Sequence, residues 1–447
     1  MSFVVIDIGA SGSRYCSDNG QISVVPNNMV IADDNAVSNL TSDTPEIEGN
    51  LEVFIEQTSR TNTQAFSGLK VVNDGLLTDP FPAHVFVGLM AEKHKEPDER
   101  PNMLMHKHVQ RINYISAVLA CALSKLKNGL DDHIDLYMAV PPVETQTSKD
   151  IFKAVLPGTY KVTFPKYMGG TVVEFTIDDT ACYEESLMAS TSYFFNMNGT
   201  LKDASKQWLT CVLLSLDIGA STTDVSIIKK GSYLDKSGFT IKTGGNEALD
   251  YLIDEVRTRY GYDLPHADAE IAMAEGRLQN GNAYDDISDI IFEAKKSLAK
   301  KITNEMVAYF KRISFPIQMI NAIMVSGGGS LQSQYVNGDG EIVKTSEPMS
   351  FFVTNEMKKW CANTDVIEYG PEARLANVKG LFIRAKMDET KKARAATAAQ
   401  PAAPAPQPVA PQVAPTPVVA PQPAVAPQPV VQPVATPVQT PVAPTQA

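Results

Sequence analysis

Two short apolar runs in this chain end in nearly the same six letters. The run at 4–8 leads into IDIGAS at 6–11, and the run at 212–218 leads into LDIGAS at 216–221. Both runs are rich in β-branched residues and end at a glycine turn, which predicts buried strands. After each turn, apolar and polar residues alternate around a glycine-containing bend, which predicts a hairpin. We therefore expect a duplicated strand, turn and hairpin, with the copies 210 positions apart (217 − 7).

Other segments carry apolar residues at every third or fourth position. This spacing predicts helices in NEALDYLIDEVRTRYG, DISDIIFEAKKSLAKKITNEMVAYFKRI and EARLANVKGLFIRAK. A strand in VVEFTIDDTACYEESLMASTSYFF is predicted to continue into a helix near Glu185. The long helix is expected to carry four lysines on its solvated face, namely Lys295, Lys296, Lys300 and Lys301.

A strand that ends in Asp-x-Gly-x-Ser can lead into a phosphate site. Glycine allows backbone N–H groups to approach an anion, and hydroxyl groups add further donors. Asp7 and Asp217 would repel a phosphate, but through water they can hold the Mg²⁺ that neutralises it. The predicted phosphate-binding residues are Gly9, Ser11, Gly12 and Ser13 in the first copy and Gly219, Ser221, Thr222 and Thr223 in the second.

Two further glycine turns extend this prediction. Gly244 and Gly245 precede a predicted helix N-terminus, where an anion is favoured. The predicted strand in INAIMVS ends at Gly327, Gly328 and Gly329, which would let a purine or its ribose lie against the backbone. Together the turns predict a nucleotide cleft between two duplicated lobes. The chain has no G-x-x-x-x-G-K-[ST] and no G-x-G-x-x-G turn, which argues against a P-loop enzyme and a dinucleotide fold.

Length, charge and cysteine content narrow the class of protein. A chain of 447 residues is expected to form two or three domains. Its 39 basic and 51 acidic residues give a net charge of −12, which disfavours direct contact with nucleic acid. Five cysteines without CxxC spacing indicate no disulfide framework. With no basic leader and no membrane-length apolar segment, we expect no membrane contact and a cytoplasmic location.

The last part of the chain has a different composition. From about residue 395 it consists almost entirely of Ala, Pro, Val and Gln. Proline at this density prevents helices and sheet ladders, which predicts an extended tether. An inert spacer is favoured over a docking ligand because no aromatic or charged anchor interrupts the segment.

His106 and His108 stand in H-x-H spacing. No Cys, Asp or Glu stands beside them in the sequence with the spacing of a metal ligand, which disfavours a metal site. We expect the two histidines to flank the start of a helix instead.

Four segments carry a resemblance to the actin-like ATPase superfamily. VVIDIGASGS resembles its phosphate 1 motif, CYEES its connect 1 region, LLSLDIGASTTDVSII its phosphate 2 motif and IMVSGGGS its adenosine motif. Their order and spacing match over roughly residues 1–387. AVPPVETQTSKDIFKAVLPGTYKVTF and PEARLANVKGLF make the chain most similar to the ParM group of plasmid-segregation actins.

The resemblance implies a duplicated α/β fold of the actin-like, ribonuclease H-like kind, with two lobes around a nucleotide cleft. Lobe I would span 1–190, with a smaller subdomain inserted at roughly 33–100. Lobe II would span 191–387, with a smaller subdomain at roughly 245–310. A disordered Pro/Ala-rich tail would occupy 388–447.

The resemblance also implies catalytic roles. Asp7 and Asp217 would organise Mg²⁺ through water, and Glu185 would orient the water that attacks ATP. In the superfamily this Glu commonly follows a Pro, whereas here it follows Glu184, which therefore remains a rival. Both could instead be ordinary carboxylates at a helix N-terminus. GTP remains open as an alternative to ATP.

The implied function is a filament-forming bacterial actin homologue that hydrolyses ATP. Its partners would be further copies of itself and a small DNA-binding adaptor through which it segregates plasmid DNA. Contacts between the top of one subunit and the bottom of the next give an open filament. The alternatives are a non-partitioning scaffold encoded by a phage or a host, and an actin-fold ATPase that does not polymerise.

Overall fold

A computed structural model describes most of the chain. The described residues are 2–9, 12–32, 49–61, 79–93, 105–281, 283–330, 333–336, 341–362, 364–368 and 370–399. Residues 1–396 form one structural unit and residues 397–447 a second, of which only 397–399 are described. Of the tail predicted at 388–447, residues 388–399 are described and belong to the last helix, and residues 400–447 lie outside the described residues.

Nine strands form the first sheet, in the order β3-β2-β1-β7-β9-β8-β5-β6-β4. Strand β1 is antiparallel to β2 and parallel to β7, which is in turn parallel to β9. The strands are β1 Ser2–Ile8, β2 Gly12–Ser17, β3 Ser23–Pro26, β4 Met29–Ala32, β5 Leu51–Arg60, β6 Ala83–Val87, β7 His133–Val140, β8 Gly158–Phe164 and β9 Thr171–Glu184.

Ten further strands follow. They are β10 Val212–Ile218, β11 Thr223–Lys229, β12 Ser232–Tyr233, β13 Phe239–Ile241, β14 Arg277–Asn280, β15 Ala283–Asp286, β16 Ala322–Ser326, β17 Ser333–Val336, β18 Ile342–Ser346 and β19 Asp365–Glu368. The second large sheet has the order β12-β11-β10-β16-β19, with β13 also paired to β11. Strands β14 and β15 form one small hairpin, and β17 and β18 form another.

Helices cover the sheets. They are α1 Leu89–Lys93, α2 Arg111–Asn128, α3 Thr145–Val155, α4 Glu185–Phe194, α5 Asn246–Tyr260, α6 His266–Glu275, α7 Ser288–Arg312, α8 Met349–Met357 and α9 Ala376–Ala399. The predicted helices α4, α5, α7 and α9 are confirmed. Within the described ranges, no helix is long and apolar enough to cross a bilayer.

The duplication predicted from the two six-letter motifs extends through five strands of each large sheet. In both sheets the motif strand lies between an antiparallel hairpin partner and a parallel strand. Strand β1 lies between β2 and β7, and strand β10 lies between β11 and β16. The hairpin registers also correspond, because Asp7 pairs with Arg14 and Asp217 pairs with Asp224. Positions 14 and 224 are therefore equivalent, although their charges are opposite.

Each large sheet has its own hydrophobic core. In the first, buried residues of β1 and β7 pack against α2 and α3, and in the second, β10 and β16 pack against α5 and α7. Helix α9 follows the second sheet in the chain but packs on the first, where Leu381 and Phe382 share a buried cluster with Phe3 and Val5. Helix α9 thus connects the two halves of the fold.

The predicted domain boundaries stay predictions. Of the subdomain predicted at 33–100, residues 33–48, 62–78 and 94–100 lie outside the described residues. Its described strands β5 and β6 continue the first sheet by pairing from β8 outward. Part of the subdomain predicted at 245–310 is the β14–β15 hairpin, which stands apart from the second large sheet.

The prediction for Lys295 is wrong. Its side chain lies on the buried face of α7. There Nζ donates to Ser346 Oγ at 3.1 Å and to the Glu347 carbonyl oxygen at 2.9 Å. The other three lysines of the predicted group are exposed. Burial lowers the pKa of Lys295 to about 7, which the nearby carboxylate of Glu347 partly opposes.

Candidate functional site

The described ends of the two duplicated turns are joined by equivalent backbone hydrogen bonds. In the first, the Gly9 N–H donates to the Gly12 carbonyl at 3.3 Å, and in the second the Gly219 N–H donates to the Thr222 carbonyl at 2.8 Å. Each turn directly follows a fully buried strand, so the carboxylates of Asp7 and Asp217 are fixed one residue before the strand ends. The similarity of the two sequences therefore continues into matching local structure.

Two of the predicted phosphate-binding hydroxyls donate hydrogen bonds to other groups of the protein. Ser13 Oγ donates to Asn27 Oδ1 at 2.7 Å, and Thr223 Oγ1 donates to the Thr243 carbonyl at 2.8 Å. Both residues are fully buried, and each fastens its turn to the neighbouring segment. Ser11 lies outside the described residues.

The turn at Gly244 and Gly245 packs directly onto the second duplicated turn. The N–H of Gly245 donates to the Gly219 carbonyl at 2.9 Å, and the N–H of Asn246 donates to the Ala220 carbonyl at 2.8 Å. A Cβ on Gly244 would lie 2.7 Å from the Ala220 carbonyl oxygen, which only glycine avoids. Helix α5 begins at Asn246, so its N-terminus points at the same turn.

Gly327, Gly328 and Gly329 continue β16 across the second turn. Gly327 has a φ of 88°, and a Cβ there would lie 2.4 Å from Asp217 Oδ1. At Gly328, by contrast, no atom of the described residues lies within 4 Å of where a Cβ would stand. Gly327 is thus fixed by packing, whereas Gly328 presents open backbone to the space in front of it.

These turns border one cavity of about 540 Å³, a size that suits a small-molecule ligand. Ten of the residues predicted for the site line it, namely Asp7, Gly9, Glu185, Asp217, Gly219, Thr222, Gly245, Gly327, Gly328 and Gly329. The other predicted residues that the structure describes lie outside the lining, namely Gly12, Ser13, Ser221, Thr223 and Gly244.

Asp217 is held by two side chains. Asn377 Nδ2 donates to its Oδ2 at 2.6 Å, and Ser326 Oγ donates to its Oδ1 at 3.3 Å. Asn377 lies on α9 and also lines the cavity, but sequence reasoning did not single it out. Burial and, to a smaller extent, the nearby carboxylates of Glu185 and Asp7 raise the pKa of Asp217 to about 7, although the two hydrogen bonds oppose this increase.

Glu185 begins α4 and meets a buried lysine that was also missed. Lys107 Nζ donates to Glu185 Oε1 at 2.5 Å and to the Ile8 carbonyl oxygen at 2.9 Å. Burial acts to lower the pKa of Lys107, but the carboxylates of Glu185 and Asp7 together hold it above its ordinary value. Lys107 therefore stays charged and fixes Glu185 in place.

Asp224 contacts Glu185 from the second lobe. It is fully buried, accepts a hydrogen bond from Thr240 Oγ1 at 2.6 Å and shares another with Glu185. Burial raises the pKa of Asp224 well above its ordinary value, and the Glu185 carboxylate adds to the increase. Asp224 and Glu185 thus share a hydrogen bond, and burial favours the neutral form of Asp224.

The structure separates the two rival carboxylates. Glu185 lines the cavity, whereas Glu184 ends β9 and contacts Tyr233 outside the lining. Burial raises the pKa of Glu184 to about 7, which the hydrogen bond from Tyr233 partly opposes. The geometry therefore favours Glu185 over Glu184 as the carboxylate that faces a ligand.

The donor set suits a divalent cation with a phosphate ligand. Four of the carboxyl groups that line the cavity interact with one another, namely Asp7, Glu185, Asp217 and Asp224, and burial raises the pKa of Asp7 as well. Among the cations of the lining, Lys107 and Arg14 partly oppose the increase at Asp7. Hard cations such as Mg²⁺ prefer carboxylate oxygens and water, so Asp7 and Asp217 fit such an ion.

No curated protein sequence matches the chain significantly. Residues 215–334 match the model of the archaeal actin homologue MreB-like family, C-terminal domain. These residues contain the second duplicated turn and the Gly327–Gly329 turn.

Solved structures show the fold. Ta0583, an archaeal actin homologue, aligns with a TM-score of 0.61 at 14% identity, over 87% of this chain and 100% of its own. The actin-like protein Alp7A aligns with a TM-score of 0.63 at 18% identity, over 89% and 99%. ParM of Bacillus thuringiensis, solved with ATP, aligns with a TM-score of 0.56 at 14% identity, over 88% and 99%.

Proposed function

We propose that this chain, which has the two-lobe α/β fold of the actin-like proteins, binds ATP with Mg²⁺ in the cavity between its duplicated turns and hydrolyses it. The observation that carries the proposal is the convergence of both turns, the Gly327–Gly329 backbone and Glu185 on one cavity of about 540 Å³. One such turn can cradle part of a triphosphate, and two opposed turns can enclose it.

Each residue has a distinct part in the proposal. The backbone at Gly9 and Gly219 would hold the phosphates, and Asp7 and Asp217 would hold the ion through water. Gly328 would face the adenosine, since its backbone is exposed to the cavity. A bound Mg²⁺ supplies charge neutralisation to the phosphates, as phosphoryl transfer requires.

Glu185 would align the attacking water. A carboxylate can do this only if its own position is fixed, and here Lys107 donates one hydrogen bond to Glu185 and Asp224 shares a second with it. Phosphoryl transfer needs positioning more than covalent chemistry, so a fixed acceptor is sufficient. The proton that the water loses would move toward Glu185.

The fold also supports a proposal about what the hydrolysis is used for. We propose that ATP at the lobe junction favours a conformation that assembles into a filament of this chain, and that hydrolysis reverses the preference. Solved structures with this fold include ParM proteins, one of them a non-polymerisable quadruple mutant of pCBH ParM. By extension, a DNA-bound adaptor in the cytoplasm would connect the filament to plasmid DNA.

The decisive experiment compares the full chain with Asp217→Asn. We expect wild type to bind ATP only with Mg²⁺ and to release phosphate, and we expect the variant to lose at least about tenfold in Mg²⁺-dependent affinity. Asp263→Asn is the matched control, because Asp263 is exposed and pairs with Arg257 away from the cavity. Wild-type Mg·ATP binding by Asp217→Asn would overturn the two-turn site.

Filament formation is tested separately. Light scattering and electron microscopy with ATP, ADP and a non-hydrolysable analogue should show polymers with ATP and the analogue, and fewer with ADP. ATP turnover without polymers would identify an ATPase that does not assemble. Polymers that do not bind any DNA–adaptor complex would identify a scaffold, and the same assay with GTP would establish which base is preferred.

A further inference from the structure

A second cluster of potential ligands lies at the margin of the cavity. Ring nitrogens of His106 and His108 and a carboxylate oxygen of Glu144 all lie within 4.8 Å of one another. His106 and His108 flank the first residue of a 3-10 turn, Lys107–Val109, whereas Glu144 ends another, Pro142–Glu144. The fold thus supplies the carboxylate that the sequence around the histidines lacks.

Distances within the cluster approach those of a metal site. Glu144 Oε2 lies 3.6 Å from His106 Nδ1, and the two imidazole rings are 5.4 Å apart between centroids. Ligands of a tetrahedral ion with bonds of about 2.0–2.1 Å lie roughly 3.3 Å from one another. A rotation of one side chain would close the difference, and the His106 side chain is 62% exposed.

The other two side chains are already fixed. Ser148 Oγ donates to Glu144 Oε2 at 2.8 Å and lies 2.9 Å from His108 Nδ1. Because the serine hydrogen goes to the carboxylate, its oxygen accepts from Nδ1–H, and the lone pair of His108 is left on Nε2. Metal-binding histidines commonly have this arrangement, with the second ring nitrogen donating to a neighbouring oxygen.

The neighbouring cation does not compete for the carboxylate. Lys107 lies between the histidines in sequence, but its ammonium group points to Ile8 and Glu185, and only its backbone N–H donates to Glu144 Oε2, at 2.7 Å. Glu144 also lines the cavity, together with Met105 and Lys107, whereas the two histidines are not among its lining residues.

We propose that His106, His108 and Glu144 bind a divalent transition-metal ion of the zinc type, with a fourth position open to water. Two imidazoles and one carboxylate are a ligand set that suits such ions, whereas Mg²⁺ prefers oxygen alone. The site is separate from Asp7 and Asp217 and does not depend on ATP hydrolysis. Its ion would join the two 3-10 turns that border the cavity.

The test is calorimetric titration of Zn²⁺ into the full chain near neutral pH, without nucleotide and with excess Mg²⁺. We expect one Zn²⁺ per wild-type chain and at least about a tenfold loss of affinity in His106→Ala, whose exposed side chain can be removed without disturbing the core. Glu144→Gln keeps an acceptor for Ser148 and the Lys107 N–H and should weaken binding similarly.

Two control variants separate this site from surface binding. His133→Ala removes an exposed histidine that pairs with Asp178, and His266→Ala removes one that lies 3.6 Å from Glu270. Both should bind Zn²⁺ as wild type does. Equal binding by His106→Ala and wild type, no binding by wild type, or loss of binding only in His266→Ala would each overturn the proposal. With Co²⁺ as the probe, a d–d absorption band that His106→Ala lacks would support it.

Discussion

Lys107 Nζ and Glu185 Oε1 lie 2.5 Å apart, with both side chains almost fully buried. The same ammonium group donates to the carbonyl oxygen of Ile8, the last residue of β1. One lysine therefore couples the start of α4 to the strand that carries Asp7. We therefore expect a substitution of either residue to change both the stability of the protein and the rate of ATP hydrolysis.

Glu185→Gln should abolish most ATP turnover while ATP binding persists. The amide still accepts a hydrogen bond from Lys107, but it cannot take a proton from water. We expect phosphate release to fall by roughly 10²–10⁴-fold, the range typical of a lost general base. A phosphate-release assay and equilibrium nucleotide binding measure the two quantities separately.

Glu184→Gln is the matched control for that experiment. Its side chain contacts Tyr233 rather than the cavity, so phosphate release should stay within about threefold of wild type. A large loss in Glu184→Gln together with normal turnover in Glu185→Gln would reverse the assignment of the two residues.

Lys107→Met should destabilise the nucleotide-free protein by about 3–5 kcal/mol, because it leaves the buried Glu185 carboxylate without its cation. Denaturant unfolding measures the loss. The double variant Lys107→Met with Glu185→Gln should lose less than the sum of the single losses, since neither unpaired charge remains. Strictly additive losses would show that the pair is not coupled.

Gly327→Ala and Gly328→Ala should behave differently although they are adjacent. A Cβ at 327 would lie 2.3 Å from the Ile218 carbonyl oxygen in a left-handed backbone conformation, so that variant should fold poorly. At 328 the added methyl has open space, so the unfolding temperature should be unchanged, and ATP affinity should fall because the methyl enters the cavity. Unchanged ATP binding by Gly328→Ala would place the adenosine elsewhere.

Lys295→Met should change how stability depends on pH. Because burial lowers the pKa of Lys295 to about 7, the unfolded chain binds more protons at this residue than the native protein between about pH 7 and its ordinary value of 10.5. The contribution of Lys295 to the free energy of unfolding therefore increases as the pH rises through that window and decreases as the pH falls through it.

Relative to Lys295→Met, wild type should gain on the order of 3 kcal/mol between about pH 7 and about pH 10. Unfolding midpoints of both proteins at the two pH values measure the difference, and other titrating groups cancel in the comparison. Lys296→Met is the control, because Lys296 is exposed and pairs with Glu293. A constant difference between wild type and Lys295→Met would contradict the shifted pKa.

The local parts of the site were predictable from sequence, and its long-range contacts were not. The duplicated turns, the glycines before α5 and the glycines after β16 each consist of neighbouring residues, so their spacing carries the signal. Asn377 reaches Asp217 across 160 positions and Lys107 reaches Glu185 across 78. No local pattern encodes such a pair, because the fold alone brings the two segments together.

Two other residues show why polarity alone misleads. A helix with many lysines commonly exposes them, and for this reason the sequence predicts an exposed Lys295. The Ser346 hydroxyl and the Glu347 carbonyl accept hydrogen bonds from its ammonium group, which allows the side chain to be buried. Asp224 had a signal that was not used. It lies in β11 beside the apolar residues Val225 and Ile227, opposite Asp217, where a buried acid usually has a specific partner.

The unequal charges at the equivalent positions Arg14 and Asp224 give the cleft a direction. Two identical hairpins facing each other would accept a ligand equally well in either of two orientations related by a half-turn. With a guanidinium on one side and a carboxyl group on the other, the two orientations differ in energy, so a bound molecule has a defined head and tail. The duplicated fold is therefore asymmetric at the cleft, where the orientation of a bound molecule determines which of its ends can react.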